Sequence, residues 1–130
     1  MEIDLSKIPS PCYVLEEGKL LQNLSLLKHV QEEAGIHIIC ALKGFSFHAV
    51  FPTVKKYLHG ATASSLHEAK LVYDKMGVKA HTYCPVYIPH EFGEIQRISS
   101  HLTFNSLSQW ELYKDKVDAS NTCGLRVNPG

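Results

Sequence analysis

Short apolar segments alternate with amphipathic segments of helical length along the whole chain, and this alternation constrains the fold more than any other feature of the sequence. Strands separated by roughly 10–15 helical residues pair in parallel, because a parallel neighbour needs a connection long enough to return the chain to the same edge. The sequence therefore predicts an α/β fold with a parallel sheet in one compact unit. The predicted extended segments are 11–15, 36–42, 61–63, 79–83, 101–105 and 123–127.

The segments between these strands carry helix start and stop signals. Gly35 follows a stripe of apolar residues at helical spacing and is predicted to end the first helix. The S-x-x-E patterns Ser65–Glu68 and Ser108–Glu111 are capping boxes, which mark helix starts. Trp110 and Tyr113 share one stripe of the last helix and are expected in the core. The pattern fits both a doubly wound sheet and a (β/α)8 barrel, and the absence of glycine-rich nucleotide-binding motifs favours the barrel.

Composition excludes several classes of function. The chain has 13 basic and 13 acidic residues, so it lacks the basic surplus that nucleic acid or an anionic membrane surface requires. No segment approaches the roughly 20 apolar residues of a membrane span, and no signal peptide is evident, which makes the cytoplasm the expected location. The cysteines are singly spaced, as expected for reduced, buried thiols, and neither they nor the histidines form a metal-binding pattern. The cysteines are Cys12, Cys40, Cys84 and Cys123.

Polar residues that follow the predicted strands are the candidates for function, because βα loops converge at the carboxyl ends of parallel strands. Lys43 stands out, since it follows the apolar segment 38–42 and would emerge at the rim of a buried sheet. Desolvation there would favour the neutral amine, which attacks aldehydes in Schiff-base aldolases and pyridoxal phosphate enzymes. The alternative is that Lys43 begins an exposed loop and covers apolar surface with its stem. The other candidates are Ser64, Ser65, Tyr83, Pro85, Asn105, Ser106, Arg126 and Asn128.

Five blocks of sequence occur in the order 8–15, 41–45, 62–69, 103–109 and 124–129. Together they resemble consecutive blocks of the carboxynorspermidine (carboxyspermidine) decarboxylases, which are pyridoxal-phosphate enzymes of the alanine racemase-like barrel fold. The resemblance extends from near residue 8 to the end of the chain. The blocks A-L-K-G-F and F-N-S-L-S-Q favour this branch over its ornithine and diaminopimelate decarboxylase relatives.

The resemblance implies roles for five residues. Lys43 would hold pyridoxal 5'-phosphate as a Schiff base, and Glu68 and Arg126 would lie on the cofactor side. Glu68 is also the acid of a capping box, and Arg126 could instead pair with a carboxylate such as Glu68, so both have structural alternatives. Ser65 and Asn105 would line the cavity, although both are also suited to starting a helix. The implied reaction removes carbon dioxide from carboxynorspermidine or carboxyspermidine, giving norspermidine or spermidine in polyamine biosynthesis.

The resemblance also implies that residues 1–130 form only the N-terminal half of the barrel domain. The C-terminal half and a β domain would carry the cofactor-phosphate loop, the ring-stacking histidine and a proton-donating cysteine that acts across a homodimer. We therefore expect this chain to be an incomplete enzyme. Two alternatives stay open: another decarboxylase or racemase on the same barrel, of the diaminopimelate or ornithine type, and a non-catalytic pyridoxal-phosphate carrier or inactive fragment.

Overall fold

A parallel sheet of five strands forms the centre of the computed structural model, which describes residues 4–129. The order of strands in the sheet is the order along the chain, and every neighbouring pair is parallel. A helix lies in each connection, as in the successive βα units of a (β/α)8 barrel. The predicted α/β class is confirmed. The strands are β1 Cys40–Ala41, β2 Ala61–Ala63, β3 Ala80–Tyr83, β4 Ser99–Phe104 and β5 Thr122–Leu125.

Two of the helical segments end at a glycine. The first helix stops at Gly35, whose φ of 62° is left-handed, and the third continues as a π-helical turn to Gly77, whose φ is 67°. These angles are accessible to glycine without the steric cost that a Cβ adds. Among residues 4–129, no helix combines the length and the hydrophobicity that crossing a membrane requires. The helices are α1 Glu17–Ala34, α2 Phe51–Val54, α3 Leu66–Leu71, α4 Pro89–Arg97 and α5 Leu107–Tyr113.

The second predicted extended segment, 36–42, forms a much shorter strand than expected. It contributes only Cys40–Ala41 to the sheet, and Ile36 is 48% exposed. The Ile38 N–H donates to the side-chain oxygen of Gln31 at 2.7 Å, so this part of the segment is bonded to α1. Apolar composition alone therefore overestimated the length of β1, because pairing with the three-residue β2 sets its limit.

The two faces of the sheet differ sharply. Side chains alternate between the faces of a strand, and one set is buried beneath the helices, where Ala63, Leu102 and Phe104 are at most 1% exposed. The opposite set, including His81 and Tyr83, lies on a face that carries no helix; we call it the open face. Trp110 packs against the core and Tyr113 lies within it, as predicted. The helix-covered face supplies the core, and the open face is left for function.

Two helices begin at serine caps of the same kind. Ser65 Oγ accepts a hydrogen bond from the Glu68 N–H at 3.2 Å, and Ser106 Oγ accepts one from the Gln109 N–H at 3.1 Å. The cap of α5 is therefore Ser106, and the predicted box that began at Ser108 is wrong. Ser106 and Ser108 both begin a capping pattern. Because β4 ends at Phe104, the helix starts directly after Ser106, and Ser108 falls inside it.

Replacing Ser106 by alanine is expected to lower the free energy of unfolding by about 1 kcal/mol, because the N–H of Gln109 loses its acceptor. Ser108→Ala is the matched control, since Ser108 is an exposed serine inside α5 and does not cap it. Urea denaturation of both variants measures the difference. An equal loss in the two variants would mean that the cap contributes nothing specific.

The four cysteines occupy two different environments. Cys40 and Cys84 are buried free thiols, as predicted, whereas Cys12 and Cys123 are exposed, which corrects the prediction for those two. Cys12 lies in the extended lead-in, and Cys123 lies on β5, which is the outermost strand of the sheet formed by residues 4–129. Burial, together with smaller contributions from the carboxylates of Glu91 and Glu68, raises the pKa of Cys84 to about 11.

A thiol reagent such as Ellman's reagent is expected to modify two cysteines quickly in the native chain and all four in denaturant. The slow pair should be Cys40 and Cys84, because attack requires an accessible thiolate and burial denies both accessibility and charge. Cys12→Ser should remove one fast thiol and Cys84→Ser one slow thiol. Uniform reactivity of all four in the native chain would contradict this burial pattern.

Candidate active site

The predicted site residues lie next to the ends of four strands. Lys43 comes two residues after β1, Asn105 directly follows β4, and Arg126 directly follows β5. Ser65 caps α3 just after β2, and Glu68 lies in the first turn of that helix. Because the strands are parallel, all five residues lie along the carboxyl edge of the sheet, where βα loops converge.

Lys43 lies in a tight turn that leaves its side chain exposed. The Ala41 carbonyl accepts hydrogen bonds from the N–H groups of Gly44 and Phe45, each at 3.0 Å, and this turn directs Lys43 away from the core while Leu42 stays buried. The expected desolvation of Lys43 is therefore not found, because β1 is the first strand of the sheet and is paired only with β2. Among residues 4–129, Lys43 Nζ has no hydrogen-bond or ion-pair partner. Its amine is free to react.

Arg126 belongs to a hydrogen-bonded chain that crosses three strands. Arg126 Nη1 donates to Tyr83 Oη at 2.5 Å, and the Tyr83 hydroxyl donates to Asn105 Oδ1 at 2.7 Å. The guanidinium carbon also lies 5.2 Å from the centre of the Tyr83 ring, within the range of a cation–π contact. The structure thus brings together two of the predicted residues, Arg126 and Asn105. The link is Tyr83, which the sequence placed at a strand end without giving it a role.

The Glu68 carboxylate is hydrogen-bonded to the backbone of the loop that precedes its helix. Its Oε2 atom accepts a hydrogen bond from the Ser64 N–H at 2.6 Å, and the suggested pair between Glu68 and Arg126 is replaced by the contact of Arg126 with Tyr83. Glu68 thus serves the capping arrangement, although its carboxylate bonds the residue before the cap. One carboxylate oxygen remains available at the carboxyl edge.

The loop after β4 repeats this arrangement with an amide in place of the carboxylate. Gln109 Oε1 accepts from the Asn105 N–H at 2.7 Å, and Gln109 Nε2 donates to the Pro85 carbonyl at 3.3 Å. Gln109 therefore fixes the backbone at Asn105 and ties it to the loop after β3. Sequence reasoning missed this residue, although the shared pattern S-L-x-[EQ] in 65–68 and 106–109 was a usable signal.

A second polar layer lies below this edge on the open face. The rings of His81 and His101 stack with centroids 5.6 Å apart, and His101 Nδ1 is 2.7 Å from Thr122 Oγ1. Burial lowers the pKa of His81, and the neighbouring His101 lowers it further. A Cβ at Gly124 would lie 3.0 Å from His101 Nε2, so a larger residue there would require the His101 ring to shift. The open face therefore presents hydrogen-bonded polar side chains beneath the candidate site.

The carboxyl edge offers two complementary groups for a small ligand. The Lys43 amine can bond covalently to an aldehyde, and the Arg126 guanidinium can bind an anion with the donors that Tyr83 leaves free. Within residues 4–129, no group of three or more His, Cys, Asp or Glu side chains is suited to hold a metal ion. An amine and a guanidinium are the kinds of group that bind an aldehyde and an anion.

Comparison with known proteins gives the relationship of this chain. No family model matches it. It is 44% identical over 126 residues to the carboxyaminopropylagmatine decarboxylase of Synechocystis, covering 96% of this chain and 33% of that protein. It is 43% identical over 122 residues to the carboxynorspermidine/carboxyspermidine decarboxylase of Campylobacter jejuni, covering 94% of this chain and 32% of that protein.

Comparison of the fold with solved structures agrees with the sequence comparison. The crystal structure of the Campylobacter jejuni carboxynorspermidine decarboxylase in complex with norspermidine matches with a TM-score of 0.85 and 41% identity, over 89% of this chain and 31% of that one. The chain therefore spans about a third of the length of these relatives. By sequence and by fold, it is homologous to the N-terminal part of the carboxynorspermidine/carboxyspermidine decarboxylases.

Proposed function

We propose that this chain supplies the lysine-bearing part of a pyridoxal-phosphate-dependent decarboxylase that acts on carboxynorspermidine or carboxyspermidine in polyamine biosynthesis. The observation that carries the proposal is a lysine, Lys43, that has no polar partner among residues 4–129 and lies at the same sheet edge as Arg126, in a chain 43% identical to a decarboxylase of that name. The amine and the guanidinium match the aldehyde and the anionic groups of the cofactor.

Each site residue has a distinct proposed task. Lys43 holds the cofactor through its amine, and Arg126 supplies a fixed positive charge on the cofactor side. Glu68 keeps one carboxylate oxygen for the site while the other holds the Ser64 N–H. Ser65 and Asn105 line the cavity at the ends of their loops. When bound, the cofactor supplies a ring that takes up the electron pair left by departing carbon dioxide.

A second candidate substrate is carboxyaminopropylagmatine. The Synechocystis relative that is named for this compound is 44% identical to the chain, slightly more than the relative named for carboxynorspermidine and carboxyspermidine. We therefore propose that the substrate is a small carboxylated polyamine. The assay below determines which polyamine chain length is preferred. Turnover of all three compounds, with ornithine and diaminopimelate for comparison, would rank them for the enzyme that contains this chain; preference for either amino acid would contradict the proposed class.

The proposal includes the setting of the enzyme. We infer that residues 1–130 are one part of a (β/α)8 domain, that the enzyme is a homodimer, and that it acts in the cytoplasm. The sequential parallel order of β1 to β5 and the one-third coverage of the relatives support the first inference. The balanced charge and the family resemblance support the others.

Covalent trapping tests the assignment of Lys43. The full-length enzyme that contains this chain is incubated with pyridoxal phosphate, reduced with borohydride and digested, and the labelled peptide is identified by mass spectrometry. We expect the label on Lys43, in the peptide that contains Ala41–Phe45. A label confined to another lysine, or no label at any cofactor concentration, would reject the proposed function.

A further inference from the structure

We propose that Tyr83 is a positioning residue that holds the Arg126 guanidinium over the middle strand of the sheet; this inference rests on the proposed function. Arg126 follows β5, the outermost strand, whereas Tyr83 ends β3, two strands further in. The hydrogen bond of 2.5 Å from Arg126 Nη1 to Tyr83 Oη therefore draws the positive charge inward across β4.

The contact with Tyr83 moves the Arg126 guanidinium by a distance comparable to the size of a small cofactor. Neighbouring strands lie roughly 4.8 Å apart, so β5 and β3 are separated by roughly 10 Å across the sheet. Lys43 follows β1, which lies a further two strands beyond β3. Without Tyr83 the guanidinium would be free to extend from the edge strand into solvent, since Arg126 is exposed. With Tyr83 it lies between the outer strand and the reactive amine.

The open face leaves a path for the arginine side chain. Tyr83, Thr103 and Gly124 are in register across β3, β4 and β5, and Arg126 lies two residues beyond Gly124 on the same face. Thr103 is small and Gly124 has no side chain, so the long side chain of Arg126 can cross β4 above them. The row of small residues and the tyrosine at its inner end together define where the charge lies.

The hydrogen bonds around Tyr83 have a fixed direction. A guanidinium can only donate and a carboxamide oxygen can only accept, so the tyrosine hydroxyl accepts from Arg126 and donates to Asn105 Oδ1. Asn105 is itself held by the bond of its N–H to Gln109 Oε1 at 2.7 Å. Because the Tyr83 hydroxyl accepts one hydrogen bond and donates another, it fixes the orientation of the Arg126 side chain. A contact with the tyrosine ring alone would not fix that orientation.

The chain contains a matched contact that lacks this arrangement. Arg97 lies 5.7 Å from the centre of the Tyr73 ring, a similar cation–π distance. Within residues 4–129, the Tyr73 hydroxyl has no hydrogen-bond partner. Tyr73→Phe therefore removes the same hydroxyl from the same kind of pair, away from the carboxyl edge, and is the control for Tyr83→Phe.

The test measures how much pyridoxal phosphate gives half-maximal borohydride labelling of Lys43 in the full-length enzyme that contains this chain. We expect Tyr83→Phe and Arg126→Gln each to raise that concentration by about three- to ten-fold, which lies within the range for the net loss of a typical hydrogen bond. The double variant should match Arg126→Gln alone, because the two residues act as one unit. Tyr73→Phe should match the wild type.

Several outcomes overturn the proposal. Normal labelling of Tyr83→Phe, normal labelling of Arg126→Gln, or effects that simply add in the double variant would each do so. If the wild type is not labelled at Lys43, the proposed function fails and a second readout decides the role of Tyr83. NMR spectra without cofactor should show restricted side-chain nitrogens of Arg126 in the wild type and averaged ones in Tyr83→Phe. Identical spectra in the two proteins would reject the positioning role.

Discussion

Replacing Lys43 by methionine is expected to abolish stoichiometric borohydride-fixed attachment of pyridoxal phosphate to the full-length enzyme that contains this chain. Methionine keeps an unbranched stem of similar length but has no amine, so the nucleophile that bonds to the cofactor aldehyde is gone. Because Lys43 is exposed and makes no polar contact within the described residues, the free energy of unfolding should change by less than about 0.5 kcal/mol. Mass spectrometry of the intact reduced protein measures the loss.

Lys56→Met is the matched control for this variant. Lys56 is another exposed lysine, but it precedes β2 and so lies toward the opposite, amino edge of the sheet. Its replacement should leave the labelling intact. Equal labelling of Lys43→Met and the wild type would show that the cofactor bonds elsewhere. Equal loss in both variants would point to a general effect of lysine content and would also contradict the assignment.

Features set by neighbouring residues could be predicted from the sequence. The alternation of apolar and amphipathic segments gave the parallel α/β sheet, because it reflects which faces each element must bury. The ends of α1 and α3 at Gly35 and Gly77, and the start of α3 at Ser65, were also correct. Each depends on a backbone angle or a hydrogen bond that spans only a few residues.

Features that depend on contacts between distant residues could not be predicted. The bond between Arg126 and Tyr83 joins residues 43 positions apart, and no pattern in the sequence specifies it. The exposure of Lys43 depends on the single pairing of β1 with β2, which hydrophobicity does not reveal. The choice of Ser106 over Ser108 as the cap of α5 depends on where β4 ends. In each case the sequence named the right residue type or region but not its partner.

Replacing Phe92 by alanine is expected to lower the free energy of unfolding by about 3–5 kcal/mol, the range for deleting a buried phenylalanine side chain. Phe92 is 2% exposed, and its ring lies 4.2 Å from Tyr113 and 5.4 Å from Tyr87, measured between ring centres. It thus connects α4 to α5 and to the loop after β3. Since small domains are stable by only about 5–15 kcal/mol, this single change should remove much of the stability. Thermal or urea denaturation followed by circular dichroism measures it.

Two further variants separate cavity formation from other effects of the change. Phe47→Ala removes the same side chain from a position that is 43% exposed, so its cost should be well below that of Phe92→Ala. Tyr113→Phe keeps the ring in the cluster but deletes the hydroxyl that donates to the Tyr87 carbonyl at 2.6 Å, at an expected cost of about 1–2 kcal/mol. If Phe92→Ala lowers the free energy of unfolding no more than Phe47→Ala does, the aromatic cluster around Phe92 does not stabilise the sheet as a core.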